Sequence, residues 1–392
     1  MQKISNIYCP INRSYFEICD VAELDFLTEY LISNTVNTEQ IAFPRGTVTK
    51  DQRLDLCKQN IGAEGCKLVC TALENNTFIK NIMLGANGIL NEGATALTEL
   101  IEKNHKIKVA YLGCNGISEK GIKNLCEVLE KTDHLEALWL KRNPIGYKGA
   151  EYLTQMLKTN TSLRVLDVEN TQLGEEGLMR IIKSLINDNR TLERLHIGGN
   201  NASAKIAKLL GILLRENPKI KALYSNVNFF HNEGFTYILQ GLNKNATLEE
   251  LSVASNNIRS SSTNLMVDIL QKNSSLRWLD LGYSPSTKIL SGKANKIGDI
   301  GAKNIASILR KNKALCQINL TKNQITSHGI HLILEALSEN KTIQKIHLGK
   351  KISKKNKSLL ARYTTANLSN KEKWIQHCDI QAIKSVYRTK AK

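Results

Sequence analysis

One 28-residue pattern recurs about eleven times along this chain, and that beat restricts its fold more than any other feature. Residues 135–160, LEALWLKRNPIGYKGAEYLTQMLKTN, show one full unit. Counting Leu135 as position 1, apolar residues fall at positions 4, 6 and 11 (Leu138, Leu140, Ile145), asparagine at position 9 (Asn143) and glycine at position 15 (Gly149). The alternation through Leu138, Trp139 and Leu140 has the two-residue period of a strand, while Ala150, Leu153 and Leu157 recur with helical spacing. One unit is therefore strand, turn, helix. Such a unit cannot bury its apolar face alone and has to stack on copies of itself.

Units begin at Asp51, Ile79, Ile107, Leu135, Leu163, Leu192, Ile220, Leu248, Leu276, Leu315 and Ile343, at intervals of 28 or 29 residues with one exception of 39. Position 9 is asparagine at Asn87, Asn115, Asn143, Asn200, Asn228, Asn256 and Asn323. An amide side chain there is expected to satisfy backbone groups of the inner turn that would otherwise be buried and unpaired. A second set (Asn76, Asn104, Asn160, Asn217, Asn245, Asn273, Asn312, Asn340) lies near the helix ends, where the left-handed conformation that asparagine tolerates is expected.

The pattern LxxLxLxxNxIGxxGAxxLxxxLxxN, carried by residues 51–350, resembles the leucine-rich repeat of the ribonuclease-inhibitor type. The resemblance implies an α/β solenoid, a right-handed horseshoe with a parallel β-sheet on the concave face and α-helices on the convex face. Departures are local: Gln59 and Thr171 replace the asparagine, Ile206 replaces the glycine, and the eleventh repeat drifts off pattern at Lys351. The 39-residue interval carries 11 extra residues, 284–294, rich in Ser, Pro, Gly and Lys, which read as a loop beside the concave face. Residues 1–50 do not fit the beat. Helical spacing over 22–34 with Asp20 as N-cap, and a short strand over 40–43, predict an N-terminal cap on the first repeat. Residues 351–392 predict a basic helical C-terminal cap or tail, with Leu359, Leu360, Trp374, Ile375 and Ile383 covering the last repeat.

Charge is unevenly placed. Of the net +18, the last 52 residues hold 14 Lys/Arg against Glu372 and Asp379, or +12. No apolar run approaches the roughly 18 residues of a membrane span, and the first residues lack the apolar core of a secretory signal. Nine cysteines, an odd count without metal-type spacing, suit a reducing compartment. A cytoplasmic protein is expected, or a bacterial effector acting in a host cell's cytosol or nucleus.

Strand positions 3, 5 and 7 point away from the helices, with position 8 at the edge. Tyr111, Trp139, Tyr224 and Trp278 fall on that open face and Tyr283 on its edge, in a chain only 5% aromatic. Lys141, Arg142, Asp167, Glu169, Arg194, His196 and Asp280 accompany them. Large amphipathic rings amid charges of both signs are the residues of protein-recognition hot spots and their rims. Mutual shielding of the rings is the plainer alternative.

Other chemistry is weaker. Asp167 and His196 share position 5 on adjacent strands, about 5 Å apart, but the next strand offers Tyr224 and no nucleophile. His196 and His347 are too many strands apart to share a metal, and His328 and His331 read as surface residues without a third ligand. Cys66, Cys70 and Cys126 fall at core positions, Cys57 and Cys114 on the open face. His377-Cys378-Asp379 resembles the Cys-x-Asp of bacterial ubiquitin ligases, but it is one residue off, and the tail is too short for that domain. No catalytic residue, cofactor, metal or small-molecule substrate is expected. The leading expectation is a non-enzymatic scaffold that binds a protein partner on its concave face. One alternative is binding to nucleic acid or an anionic membrane through Lys350, Lys351, Lys354, Lys355 and Lys357. Another is a GTPase regulator, because Ran GTPase-activating proteins share this repeat type; their tails are acidic, and this one is basic.

Overall fold

In each repeat the position-4 residue of a three-residue strand and the position-6 residue just past it turn one way, and the following helix packs over them. Leu54, Leu56, Ile82, Leu84, Leu138 and Leu140 are all completely buried there. The computed structural model describes residues 17–36, 38–349, 352–369 and 385–387. Its chain divides into two compact units, residues 1–192 with 377–392, and residues 193–376.

In the first unit, β1 (Ile41–Ala42), β2 (Thr47–Thr49) and β3 (Arg53–Asp55) form an antiparallel ribbon. From β3 onward the strands are parallel: β4 (Asn81–Met83), β5 (Val109–Tyr111), β6 (Ala137–Trp139) and β7 (Val165–Asp167). The first helix, α1 (Asp25–Ile32), follows a 3-10 turn at Val21–Leu24 whose Ala22 N–H is capped by Asp20 Oδ1 at 3.1 Å. It buries Leu24, Leu27 and Leu31 and takes a bond from Asn76 Nδ2 on its Leu31 carbonyl. Helices α2 (Gly62–Leu73), α3 (Leu90–Lys103), α4 (Glu119–Leu129), α5 (Gly146–Thr159) and α6 (Gly174–Asn187) alternate with the parallel strands.

The second unit repeats the plan. Strands β8 (Arg194–His196), β9 (Ala222–Tyr224), β10 (Glu250–Ser252), β11 (Trp278–Asp280), β12 (Gln317–Asn319) and β13 (Lys345–His347) pair in parallel in that order. Helices α7 (Ala204–Glu216), α8 (His231–Leu242), α9 (Thr263–Leu270), α10 (Gly298–Lys311) and α11 (Ser327–Glu339) follow the first five strands and α12 (Lys354–Ser369) the sixth. The fold is an α/β solenoid. Among the described residues no helix is long and apolar enough to cross a membrane.

Both asparagine sets are structural. Asn115 Nδ2 donates to the carbonyls of Leu84 and Leu112, each at 2.9 Å, while its Oδ1 accepts the N–H of Asn87 at 2.9 Å. Asn143 and Asn87 do the same one repeat on and one repeat back, which forms a ladder through the fully buried inner turn. The helix-end asparagines depart from expectation. Asn104, Asn160, Asn217, Asn312 and Asn340 are extended, not left-handed. Their amides bridge repeats instead, as Asn104 Nδ2 does to the carbonyls of Leu73 and Asn76 at 2.7 and 2.8 Å. Their side-chain oxygens accept N–H groups just after them, as Asn104 Oδ1 does from Lys106 at 2.9 Å.

The extra loop of the ninth repeat packs on its own unit. It contains a 3-10 turn at Pro285–Thr287, and the buried Thr287 hydroxyl donates to Ser255 Oγ at 2.7 Å. Asn295 then resumes the ladder, bonding the carbonyls of Val253 and Leu281 at 2.9 Å. At the far end α12 joins the last repeat through Asn367 Nδ2, which donates to the carbonyls of Asn340 and Ile343. Leu359 and Leu360 are half-buried, while Trp374, Ile375 and Ile383 lie outside the described residues, as do Lys350, Lys351 and residues 377–379.

Candidate functional site

On the open sheet face of the first unit, strand positions 3 and 5 build a second, smaller apolar layer. Val109, Ala137, Trp139 and Val165 cluster there, with Tyr111 packed against them. Tyr111 is in register with Trp139, so both rings lie opposite Leu138 and the strand phase is the one the beat predicts. Their centroids are 6.2 Å apart and tilted by 42°. The Tyr111 ring lies across Gly85, where a Cβ would come within 2.4 Å of it. Lys141 Nζ sits 5.5 Å from the same ring.

Electrostatics tie the group together. Burial opposes the Lys141 charge, but Tyr111, Asp167 and Glu169 outweigh it and hold the ammonium above the ordinary lysine pKa. Burial lifts the Asp167 carboxyl to about 7, an effect that Lys141 only partly offsets and Glu169 reinforces. Asp167 Oδ1 accepts the N–H of Glu169 at 2.8 Å. Arg142 holds the turn beside them, with φ +59 and its N–H on the Glu169 carbonyl.

The second unit stacks three rings. His196 lies parallel on Tyr224 at 4.1 Å, and Trp278 tilts against Tyr224 at 5.6 Å. Beneath them Arg194 Nη1 pairs with Glu250 Oε1 at 2.8 Å, both side chains almost wholly buried, and the Tyr224 hydroxyl bonds the other Glu250 oxygen. The Asp280 carboxyl is pushed up by burial against bonds from Gly282 N–H and Ser252 Oγ. At the edge Lys322 Nζ lies 3.8 Å over the Tyr283 ring.

Several expectations are corrected. Trp139, expected as an exposed ring, is 7% exposed, and Asp167 and Arg194, expected at the rim, are 1% exposed each, so these three support the face from within. Tyr111, Lys141, Arg142, Glu169, His196, Tyr224, Trp278, Asp280 and Tyr283 are half-buried and present part of their surface. Cys57 and Cys114 sit on the open face but are buried, and burial, then Asp55, drives the Cys57 thiol up to about 12, which disfavours the thiolate. His328 and His331 are exposed. Among the described residues no three His, Cys, Asp or Glu side chains gather as a metal site would need.

Two features escaped the linear reading. Glu250 is the acceptor that joins Arg194 to Tyr224; its position 3 marked the face but not the partner. The recurrence of Asp or Asn at position 5 has a local cause, since Asp55, Asp167, Asp280 and Asn319 each accept the N–H two residues on, as strand-ending turns.

A family model described as Leucine Rich repeat matches residues 159–181 and 244–261. Ribonuclease inhibitor from Mus musculus is 26% identical over 182 residues, 42% of this chain and 40% of that protein. The chain carries leucine-rich repeats similar to those of ribonuclease inhibitor. NACHT, LRR and PYD domains-containing protein 4C from Mus musculus is 23% identical over 158 residues, 40% of this chain and 15% of that protein. This leucine-rich-repeat chain thus spans less than half the length of either curated relative. Among solved structures, the yeast Rad7 and Elc1 complex holds a chain similar in fold, with a TM-score of 0.57 and 14% identity over 88% of this chain and 81% of that one.

Proposed function

We propose that this leucine-rich-repeat protein is a binding scaffold that holds a protein partner against its open sheet face and performs no catalysis there. The observation that carries the reading is the column His196–Tyr224–Trp278, whose central ring is fixed by the buried Arg194–Glu250 pair. Rings immobilised before binding lose little conformational freedom when a partner arrives, which is what an anchor requires. In the first unit Tyr111, clamped between Gly85 and Lys141 over Trp139, plays the same part. A relative named for inhibiting a ribonuclease agrees with a protein partner.

The test is affinity for a partner obtained by selection against the intact protein. Trp278→Ala is expected to weaken binding by about 2 kcal/mol or more, while Lys158→Ala on helix α5 leaves it unchanged. Equal affinity for the two variants and the parent would remove the open face from consideration.

A second reading rests on α12. Lys354, Lys355 and Lys357 are exposed in its first turns, and no acidic residue falls in the first turn. Cations at a helix N-terminus oppose the macrodipole. Their presence there is accounted for if an anionic surface, nucleic acid or membrane, approaches that end.

A further inference from the structure

The strand-end aspartates differ in one respect. Asp167 and Asp280 are bonded by groups of their own and the adjacent repeat. Asp55, on β3 and completely buried, is bonded by residues some 330 positions away. Its Oδ1 accepts the Cys57 N–H at 3.1 Å and the Ser385 hydroxyl at 3.1 Å, and its Oδ2 accepts the Val386 N–H at 2.7 Å. The Ser385 hydroxyl also accepts the Tyr387 N–H at 3.1 Å, which closes residues 385–387 into a turn. The Tyr387 hydroxyl lies 2.6 Å from Thr47 Oγ1, and Thr47 is the register partner of Asp55 on β2.

We propose that the open face of β2 and β3 is a docking site for a hydroxyl-bearing Ser-Val-Tyr turn, and that its occupant is this chain's own residues 385–387, bound in cis. One carboxylate receives an O–H and an N–H from the turn, and a threonine meets the phenol, so three of the turn's polar groups are read at once. The turn supplies donors to a carboxylate, and they are lost if a glutamate, whose side chain is an acceptor, replaces the serine. Together with the partner-binding reading above, on which this consequence rests, a protein whose contact on the first unit's open face extends onto β2 and β3 has to displace an internal ligand.

Hydrogen exchange on the full chain, without any partner, tests the docking by itself. The Val386 and Tyr387 amides are expected to exchange at least about tenfold more slowly than in a free peptide of the same sequence. Ser385→Glu, which lies outside the repeats and cannot unfold them, is expected to abolish that protection. Asp55→Asn is expected to do the same while exchange across β3 and β4 stays as in the parent. Asp51→Asn, a carboxylate of the same repeat that pairs with Thr49 and Arg53, is expected to leave protection intact. Unprotected amides in the parent, or protection that survives Ser385→Glu, would overturn the proposal. So would protection that rises with protein concentration, because a neighbouring copy's tail would then fill the site. A failed partner assay leaves this result untouched, and the reverse also holds.

Discussion

At Asp167 a carboxylate sits where burial works against its charge, among Lys141, Glu169 and Arg142. Its folded pKa of about 7 lies above the ordinary 3.8, so the folded chain holds that proton more tightly than the unfolded chain does. The stability it contributes is complete below about pH 4 and is lost as pH rises through 7. Asp167→Asn, which keeps the shape and the acceptor for the Glu169 N–H, should therefore stabilise the protein at pH 8. The expected gain is at least about 1 kcal/mol, and the pH dependence between 4 and 7 should flatten. Denaturant melts at several pH values measure both, and a variant less stable than its parent at pH 8 would contradict the account. Residue identities told which side chains share a face. They did not tell that Trp139, Asp167 and Arg194 are covered while Tyr111 and Trp278 are half-open, because coverage depends on where a neighbouring ring falls.

Elements are held by repetition of small local solutions. Asn115 satisfies two carbonyls and one N–H in a dry turn. Asn115→Ala leaves all three unpaired, for an expected loss of about 3 kcal/mol or more. Asn115→Asp should be no better, since a carboxylate cannot donate, and thermal melts would show both. Position 12 gives a cleaner case. Gly146 has φ +66 with nothing near a would-be Cβ, so Gly146→Ala isolates backbone strain and should cost about 1 kcal/mol. Leu90 occupies the same position with φ +55 and is exposed, so Leu90→Gly should be neutral or gain about 0.5 kcal/mol. If both substitutions moved stability in one direction, strain would not be the governing term. Elements were the most legible level: every strand of the repeats, β3 to β13, spans positions 3 to 5, because periods of two and 3.6 are local geometry. The helix-end asparagines were misread, since their partners lie one repeat away.

For the molecule as a whole, two-thirds of the net positive charge falls in the last 52 residues. If α12 meets an anionic surface, replacing Lys354, Lys355 and Lys357 with Ala should weaken binding to anionic lipid vesicles by roughly 1 kcal/mol per lysine and flatten its salt dependence. Vesicle sedimentation at two ionic strengths decides, and unchanged binding would return the lysines to a solvating role. The return of Ser385–Tyr387 to Asp55 had no signal in the sequence at all. No periodicity links a tail to a strand more than 300 residues earlier, and only hydrogen-bond geometry brings them together. By itself the sequence determined the repeat, the α/β solenoid and the side of each strand that faces the helices, because these follow from the spacing of apolar residues along one chain. The tertiary structure alone decided which open-face residues are buried, which carboxylate is destabilised and what occupies Asp55, because those depend on neighbours that spacing does not specify.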